Sequence, residues 1–295
     1  MFMFSRNGWL GFALLTMVTW GVWGAFTGLP TEHGFPETLV YVVWSLTMIP
    51  PALIALRRID WKLKRDARSV WLGLAAGVLG AVGQMLLFDA VKRGPTYLIF
   101  PIISLSPVLT IALSFALLRE RTGRLGMLGI ALALCSLPMF DYESGGAKSY
   151  GLWFFLALAV LVTWGLQAYF IKLANATMDA ESIFFWMALS AVLSIPVALA
   201  MTDFSQPINY GAQGPWLAAA IQILNSIGAL TLVFAFRHGK AIVVSPMVNA
   251  GAPLLTALIA MAVAGTMPGP LKLCGIGLAL LASLMLALQP EEQAA

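Results

Sequence analysis

Charge is what this sequence has least of. Lys, Arg, Asp and Glu together make up 10% of 295 residues while 60% are hydrophobic, which leaves too little polar surface to cover a water-soluble globule of that length. The mean hydropathy of +0.88 says the same. Histidine is almost missing: His33 and His238 are the two copies, both in loops. With no HExxH and no acidic cluster, the chain lacks the gathered nucleophile, base or metal ligands that an intramembrane protease or lipid-modifying transferase needs. Cysteine is as scarce. Cys135 and Cys274 lie in separate apolar segments without ligand spacing, so a disulfide framework and a zinc site are both excluded, and the two read as small apolar fillers. There is no GxxxxGK[ST] loop and no room for a soluble ATPase domain, so a nucleotide-driven motor is excluded and no cofactor is expected. The net charge of +4 does not signal nucleic acid either, because the basic residues sit in short loops between apolar runs.

What fills the chain is apolar segments of roughly the length that crosses a bilayer, about 20 residues. Ten are read: Gly8 to Gly28, Pro36 to Leu56, Val70 to Val91, Thr96 to Leu118, Leu125 to Phe140, Leu152 to Ile171, Ser182 to Met201, Pro215 to Phe236, Ala241 to Ala264 and Leu271 to Leu288. The first follows Arg6 as a signal peptide would, yet it is too long and no small-residue cleavage site comes after it. It reads as a spanning helix. The polar, glycine-rich stretch Asp141 to Lys148 reads as the connection between two halves.

Those halves repeat. Val18-Thr19-Trp20-Gly21 returns as Val162-Thr163-Trp164-Gly165, Glu37-Thr38 as Glu181-Ser182, Trp71-Leu72 as Trp216-Leu217, Gly83 as Gly228 and Gly129 as Gly275, at a steady offset of 144 to 146. Five spans per unit is an odd number, so the second unit enters the membrane from the opposite face. The expected fold is all-α and integral to the membrane, ten transmembrane helices as two inverted five-helix repeats, residues 1–143 and 144–295. Two proline-bearing segments stand at matching places, Gly94 to Thr110 and Gly239 to Thr256. Each is expected to break its helix and free backbone carbonyls, which lipid tolerates only toward protein or a water-filled cavity. Interrupted spans in corresponding positions point to a transporter's binding site.

Charge placement gives the orientation. With the N-terminus inside, 13 of the 17 basic residues fall on cytoplasmic ends and loops, while Lys92, Arg93, Lys148 and Lys272 remain outside. Both termini are expected in the cytoplasm and the chain in the cell inner (plasma) membrane. Asp89 lies three and four residues before Lys92 and Arg93, a spacing that brings helix side chains together, so an interfacial ion pair is expected there rather than a coupling proton. Glu37 and Glu181 each open a helix, where a carboxylate favours the positive end of the dipole and caps it.

This pattern resembles the drug/metabolite transporter superfamily and, within it, the EamA-type permeases. The residues that carry the resemblance are Pro107, the loop Leu118-Arg119-Glu120-Arg121-Thr122 and Gly129; Pro253 and Gly275 match in the second half, where the loop reads Gly265-Thr266-Met267-Pro268 without the glutamate. The resemblance covers nearly the whole chain. It implies two inverted five-helix repeats and transport of small organic solutes across the inner membrane, and leaves the solute open among amino acids, sugars, sugar phosphates, nucleotide sugars and drugs.

The candidate substrate-binding residues are the uncharged polar and aromatic groups inside the spans: Trp20, Gln84, Tyr97, Ser104, Trp164, Gln167, Asn225, Ser245 and Asn249. An amide left unpaired in an apolar medium costs roughly 2 to 7 kcal/mol, so these carboxamides, with Gln222, do not face lipid. Either they line a cavity for an uncharged or zwitterionic solute, or they tie helices together. The glycines Gly73, Gly77, Gly80 and Gly83 make a smooth strip for a close helix neighbour. The expected function is a permease working by alternating access, a secondary transporter. The alternatives are a broad-specificity multidrug or metabolite exporter, an intramembrane enzyme and a membrane scaffold. Partners are a small-molecule substrate and the lipid bilayer, with a coupling proton or sodium ion and a homodimer left open, and no nucleic acid or metal.

Overall fold

The computed structural model describes residues 8–106, 108–109, 112–113, 116, 123–140, 151–175, 177–238, 241–265 and 267–287. Among them every regular element is a helix: α1 Gly8–Phe26, α2 Leu29–Glu32, α3 Glu37–Thr47, α4 Ile49–Arg58, α5 Ala67–Arg93, α6 Thr96–Ile103, α7 Arg124–Phe140, α8 Leu152–Asn175, α9 Ala180–Leu193, α10 Ile195–Ala200, α11 Leu217–His238, α12 Ala241–Ala264 and α13 Pro270–Ala287. Among the described residues six helical stretches are long and apolar enough to cross a membrane, namely Trp9–Glu32, Glu37–Arg58, Ala67–Arg93, Leu152–Asn175, Ala180–Ala200 and Ala212–Leu232. Their lipid-side residues are large and apolar, as Leu14, Leu53, Val78, Phe155 and Val197 illustrate by their exposure.

Two of these stretches are interrupted where the sequence reading left them whole. Between α3 and α4 the Met48 N–H reaches both Trp44 O at 3.2 Å and Ser45 O at 3.3 Å, and Pro50 and Pro51 follow without donors of their own. Between α9 and α10 the Ser194 N–H does the same with Ser190 O at 3.1 Å and Ala191 O at 3.3 Å, ahead of Pro196. The fourth segment is broken as expected. After α6 the chain tightens into three-residue turns, Leu105 N–H to Ile102 O at 3.1 Å and Ser106 N–H to Ile103 O at 3.0 Å. The ninth is not broken: α12 runs from Ala241 to Ala264 through Pro246 and Pro253. Each proline there removes one donor without ending the helix. Pro107, the loop of residues 118–122 and the connection Asp141 to Lys148 lie outside the described residues.

Long seams hold the bundle together. α5 lies along α8, α7 along α13, and α1 between α11 and α12, while α9 crosses α5 and α4. The glycine strip on α5 allows the close approach, and it serves two neighbours. A Cβ at Gly73 or Gly77 would strike Trp186, or Ser190 and Met187, on α9; at Gly80 or Gly83 it would strike Gln167, or Trp164 and Thr163, on α8.

The seams exchange partners between the halves. Thr19 and Trp20 on α1 sit over Gly228 of α11, and Thr163 and Trp164 on α8 sit over Gly83 of α5. Gly21 takes the side chain of Leu255, and Gly165 that of Leu109. Loops obey the same rule: Lys64 N–H donates to Ser182 Oγ at 3.2 Å, and Asn209, its counterpart at an offset of 145, donates its N–H to Gly34 O at 3.0 Å and its Nδ2 to His33 O at 2.9 Å.

The carboxylates end up differently from the sequence expectation. Asp89 pairs with Arg93 at 2.7 Å, as expected, but Lys92 turns to Glu37 at 2.8 Å. Glu37 therefore neutralises a cation and makes no cap hydrogen bond, since its helix starts from Pro36. On α9 the cap is Asp179, whose carboxylate accepts the Ser182 N–H at 2.7 Å, and Glu181 is buried in the first turn behind it.

Candidate functional site

The α1–α11 seam is cross-linked by polar groups. Thr16 Oγ1 meets Thr231 Oγ1 at 2.8 Å and the Gly228 carbonyl at 3.2 Å. Buried Gln222 is fully engaged: its Oε1 accepts from Trp23 Nε1 at 2.8 Å and its Nε2 donates to Thr27 Oγ1 at 3.1 Å. For this residue the helix-tying alternative holds. Trp20 Nε1 donates to the backbone carbonyl of Asn225 at 3.1 Å. On the far side of α1, Thr256 Oγ1 donates to Gly21 O at 3.0 Å, and Phe100 of α6 meets Trp23 edge-on with ring centroids 5.7 Å apart.

Gln84, Asn225 and Gln167 are engaged less fully among the described residues. Gln84 is 3% exposed, and its Nε2 is buried with no partner among the described residues. Asn225 is 8% exposed, and while its main chain receives Trp20, its side chain has no hydrogen bond to a described residue. Gln167 is half-buried and lies across Gly80 of α5, again with no hydrogen bond of its amide among the described residues. Gln84 Nε2 breaks the rule that buried polar atoms find partners, while the amides of Asn225 and Gln167 are open to a further partner.

The aromatic candidates fall on the same seams. Trp20 and Trp164 are both half-buried, packed edge-on to the bare backbone of Gly228 and Gly83. Their roles differ in one respect: Trp20 has its carbonyl partner, whereas Trp164 Nε1 has none among the described residues. Tyr97 is half-buried on α6 against the core. Ser104 is buried and donates to Pro101 O at 2.7 Å, repairing a carbonyl beside the break rather than presenting a free hydroxyl. The side chains of Ser245 and Asn249 lie outside the described residues.

The structure thus brings Trp164, Gln167 and the glycines preceding Gln84 together on the α5–α8 seam, and Trp20 with Asn225 on the α1–α11 seam. It also adds Trp44. This tryptophan on α3 is 7% exposed, and its Nε1 is buried without a partner among the described residues. A tryptophan in mid-span is the available sequence signal, though the repeat does not echo it: its offset position in the second half is Ala188.

No charged group stands among these residues. Asp89, Lys92, Arg93 and Glu37 gather at the loop ends of α5 and α3 and are consumed by their own ion pairs. Cys135 and Cys274 are free and exposed.

Comparison with known proteins agrees with this architecture. An uncharacterised protein of Methanocaldococcus jannaschii is 27% identical over 131 residues, which cover 44% of this chain and 94% of the relative. A protein of known crystal structure is 19% identical and superposes with a TM-score of 0.62 over 94% of this chain and 98% of its own, a likeness of fold. The model of the EamA-like transporter family matches residues 7–140 and again residues 151–288. The chain belongs to the EamA-like transporter family, and is therefore a multi-pass membrane protein of the drug/metabolite transporter type.

Proposed function

We propose that this protein is a secondary transporter that moves a small uncharged or zwitterionic metabolite across the cytoplasmic membrane by alternating access. In this reading ten spans form two inverted five-helix repeats, residues 1–143 and 144–295, with both termini in the cytoplasm. The exchanged seams support it, because repeat-equivalent residues meet equivalent glycines of the other half: Trp20 on Gly228, Trp164 on Gly83. A relative of which 131 residues make up 94% supports the half-chain as a structural unit. The two seams give one half a surface to rock against the other, and the solute lies between them.

The observation that carries the proposal is the contrast among carboxamides. Gln222 has both its polar atoms satisfied by Trp23 and Thr27, whereas Gln84, Gln167 and Asn225 keep side-chain groups without described partners. Leaving the buried Gln84 donor unmade costs roughly 1 to 3 kcal/mol, and a solute bearing hydroxyl, amide or carboxylate groups would repay that cost on binding. Trp20, Trp164 and Tyr97 would stack on its apolar parts, and Ser104, Ser245 and Asn249 are proposed as further contacts from their places in the sequence, Ser104 as an acceptor. Amides carry no net charge, so a solute with excess charge is disfavoured. Coupling to sodium would use backbone carbonyls and hydroxyls, with no carboxylate required.

The test is counterflow of labelled amino acids, sugars and nucleosides in proteoliposomes. Accelerated exchange of one neutral or zwitterionic class supports the proposal. Exchange of none, or preference for a strongly charged solute, refutes it.

A further inference from the structure

The basic residues of this chain are treated very differently at the two ends of α5. At its C-terminal end both cations are neutralised, Lys92 by Glu37 at 2.8 Å and Arg93 by Asp89 at 2.7 Å. At its N-terminal end and in the loop before it, Arg57, Arg58, Lys62, Lys64, Arg65 and Arg68 are all exposed, and none forms an ion pair among the described residues. Asp66 is occupied in capping, accepting the Ser69 N–H at 3.1 Å. Arg58 lies over the Phe234 ring at 4.2 Å. The result is a positive segment, six basic residues against Asp60 and Asp66, whose cations form no ion pair among the described residues.

The loop backbone is shaped and held. Asp60 and Trp61 have φ of 51° and 60°, the left-handed region that bulky residues avoid. Asp60 has a reason to be there: Trp61 N–H to Leu56 O at 2.9 Å and Asp60 N–H to Arg57 O at 3.3 Å close the end of α4 in a Schellman arrangement. Trp61 follows from the turn itself: Lys62 N–H to Ile59 O at 2.9 Å closes a turn with Asp60 and Trp61 as its two central residues, both at positive φ. The turn leaves the indole 58% exposed, next in sequence to Lys62. The rest of the loop is pinned, Lys64 donating its N–H to Ser182 Oγ at 3.2 Å and accepting from Trp186 Nε1 at 3.1 Å. On α5 the ring of Trp71 is 60% exposed as well. Exposed tryptophans beside a fixed group of cations at the end of two apolar helices match the chemistry of a membrane interface, where indoles sit at headgroup level and basic groups meet lipid phosphates.

We propose that the segment joining α4 and α5 is a binding site for anionic phospholipid headgroups, with Arg57, Lys62, Lys64 and Arg65 holding the phosphate and Trp61 seated beside the glycerol backbone. The site is independent of the solute cavity, and binding in detergent does not depend on which face of the membrane the loop occupies.

The experiment is native mass spectrometry of the full chain in detergent, titrated with phosphatidylglycerol or phosphatidylcholine, alongside thermal unfolding with the same lipids. Phosphatidylglycerol should bind more tightly than phosphatidylcholine and raise the unfolding temperature. The variant R57Q/K62Q/K64Q/R65Q, changed only at exposed positions, should lose about tenfold or more in phosphatidylglycerol affinity and leave phosphatidylcholine binding unchanged. Trp61→Gly relieves the left-handed strain, so without lipid it should unfold at the same or a higher temperature, yet gain less from phosphatidylglycerol. Unchanged phosphatidylglycerol affinity in the quadruple variant overturns the proposal. So does an equal thermal shift from inorganic phosphate, which would make the loop a general anion site. If the quadruple variant does not fold, Trp61→Gly decides alone, and an undiminished lipid shift in it overturns the assignment.

Discussion

Replacing Gly228 by alanine puts a methyl group where Trp20 and Thr19 of α1 already stand. Forcing extra volume into a packed interface costs roughly 1 to 3 kcal/mol. Displacing the indole also endangers its 3.1 Å hydrogen bond to the Asn225 carbonyl, a further loss of about 0.5 to 1.5 kcal/mol. Against this stands the better helix propensity of alanine, about 1 kcal/mol. The net expectation is a loss of about 0.5 to 3.5 kcal/mol. Gly83→Ala at the equivalent place collides with Trp164 and Thr163, but Trp164 has no described hydrogen bond to lose, so its loss should be smaller. Gly277→Ala is the control, since a Cβ there meets nothing within 4 Å. Equilibrium unfolding in mixed micelles, titrated with sodium dodecyl sulfate, reads all three. In the double variant with Trp20→Ala the cost of Gly228→Ala should shrink, a coupling that identifies the colliding pair. Should Gly228→Ala unfold at the same midpoint as Gly277→Ala, the close seam between α1 and α11 is refuted, and the exchange of partners between halves loses its main support.

In a chain with Cys135 and Cys274 replaced, a cysteine at Glu32 should react with an impermeant maleimide in intact cells and one at Lys64 should not; the reverse labelling would invert the proposed topology. Asp89→Asn should retain concentrative uptake under an imposed pH gradient, since the carboxylate is already paired with Arg93 at 2.7 Å and a surface pair of this spacing contributes only about 0.3 to 0.5 kcal/mol; exchange without accumulation would mark it as the coupling group. Trp44→Phe removes an indole N–H that has no described partner, so it should leave stability within about 1 kcal/mol of the parent; a larger loss would mean that N–H is bonded.

Much of the architecture could be read from the chain because it is written twice. The offset that relates Trp20 to Trp164 and Gly83 to Gly228 pairs the right residue types, and the structure turns each pair into a contact across the halves. The breaks at Met48 and Ser194 had a sequence signal in Pro50, Pro51 and Pro196, but prolines near the middle of an apolar run do not say whether the helix kinks or stops. Pro246 and Pro253 make the converse point inside the unbroken α12. The fate of the carboxamides was out of reach. Whether Gln222 meets Trp23 or a solute depends on how α11 is rotated against α1, a relation between residues 199 apart that no local periodicity encodes. Glu37 stands in the first turn of its helix as read, but its ion pair was out of reach for a similar reason: its partner Lys92 lies 55 residues away.

The account turns on whether the unpartnered amides exist for a solute, and Gln84 tests this most directly because it is the most buried of the three. Gln84→Leu keeps the volume and removes an orphaned donor, which should stabilise the empty protein by roughly 1 to 3 kcal/mol. The measurement is solute affinity by counterflow in proteoliposomes, taken on the same preparation as the unfolding midpoint. The account predicts a protein that is more stable and binds its solute about tenfold or more weakly, a loss of about 1.4 kcal/mol or greater. A Gln84→Leu variant that transports with unchanged affinity would contradict it.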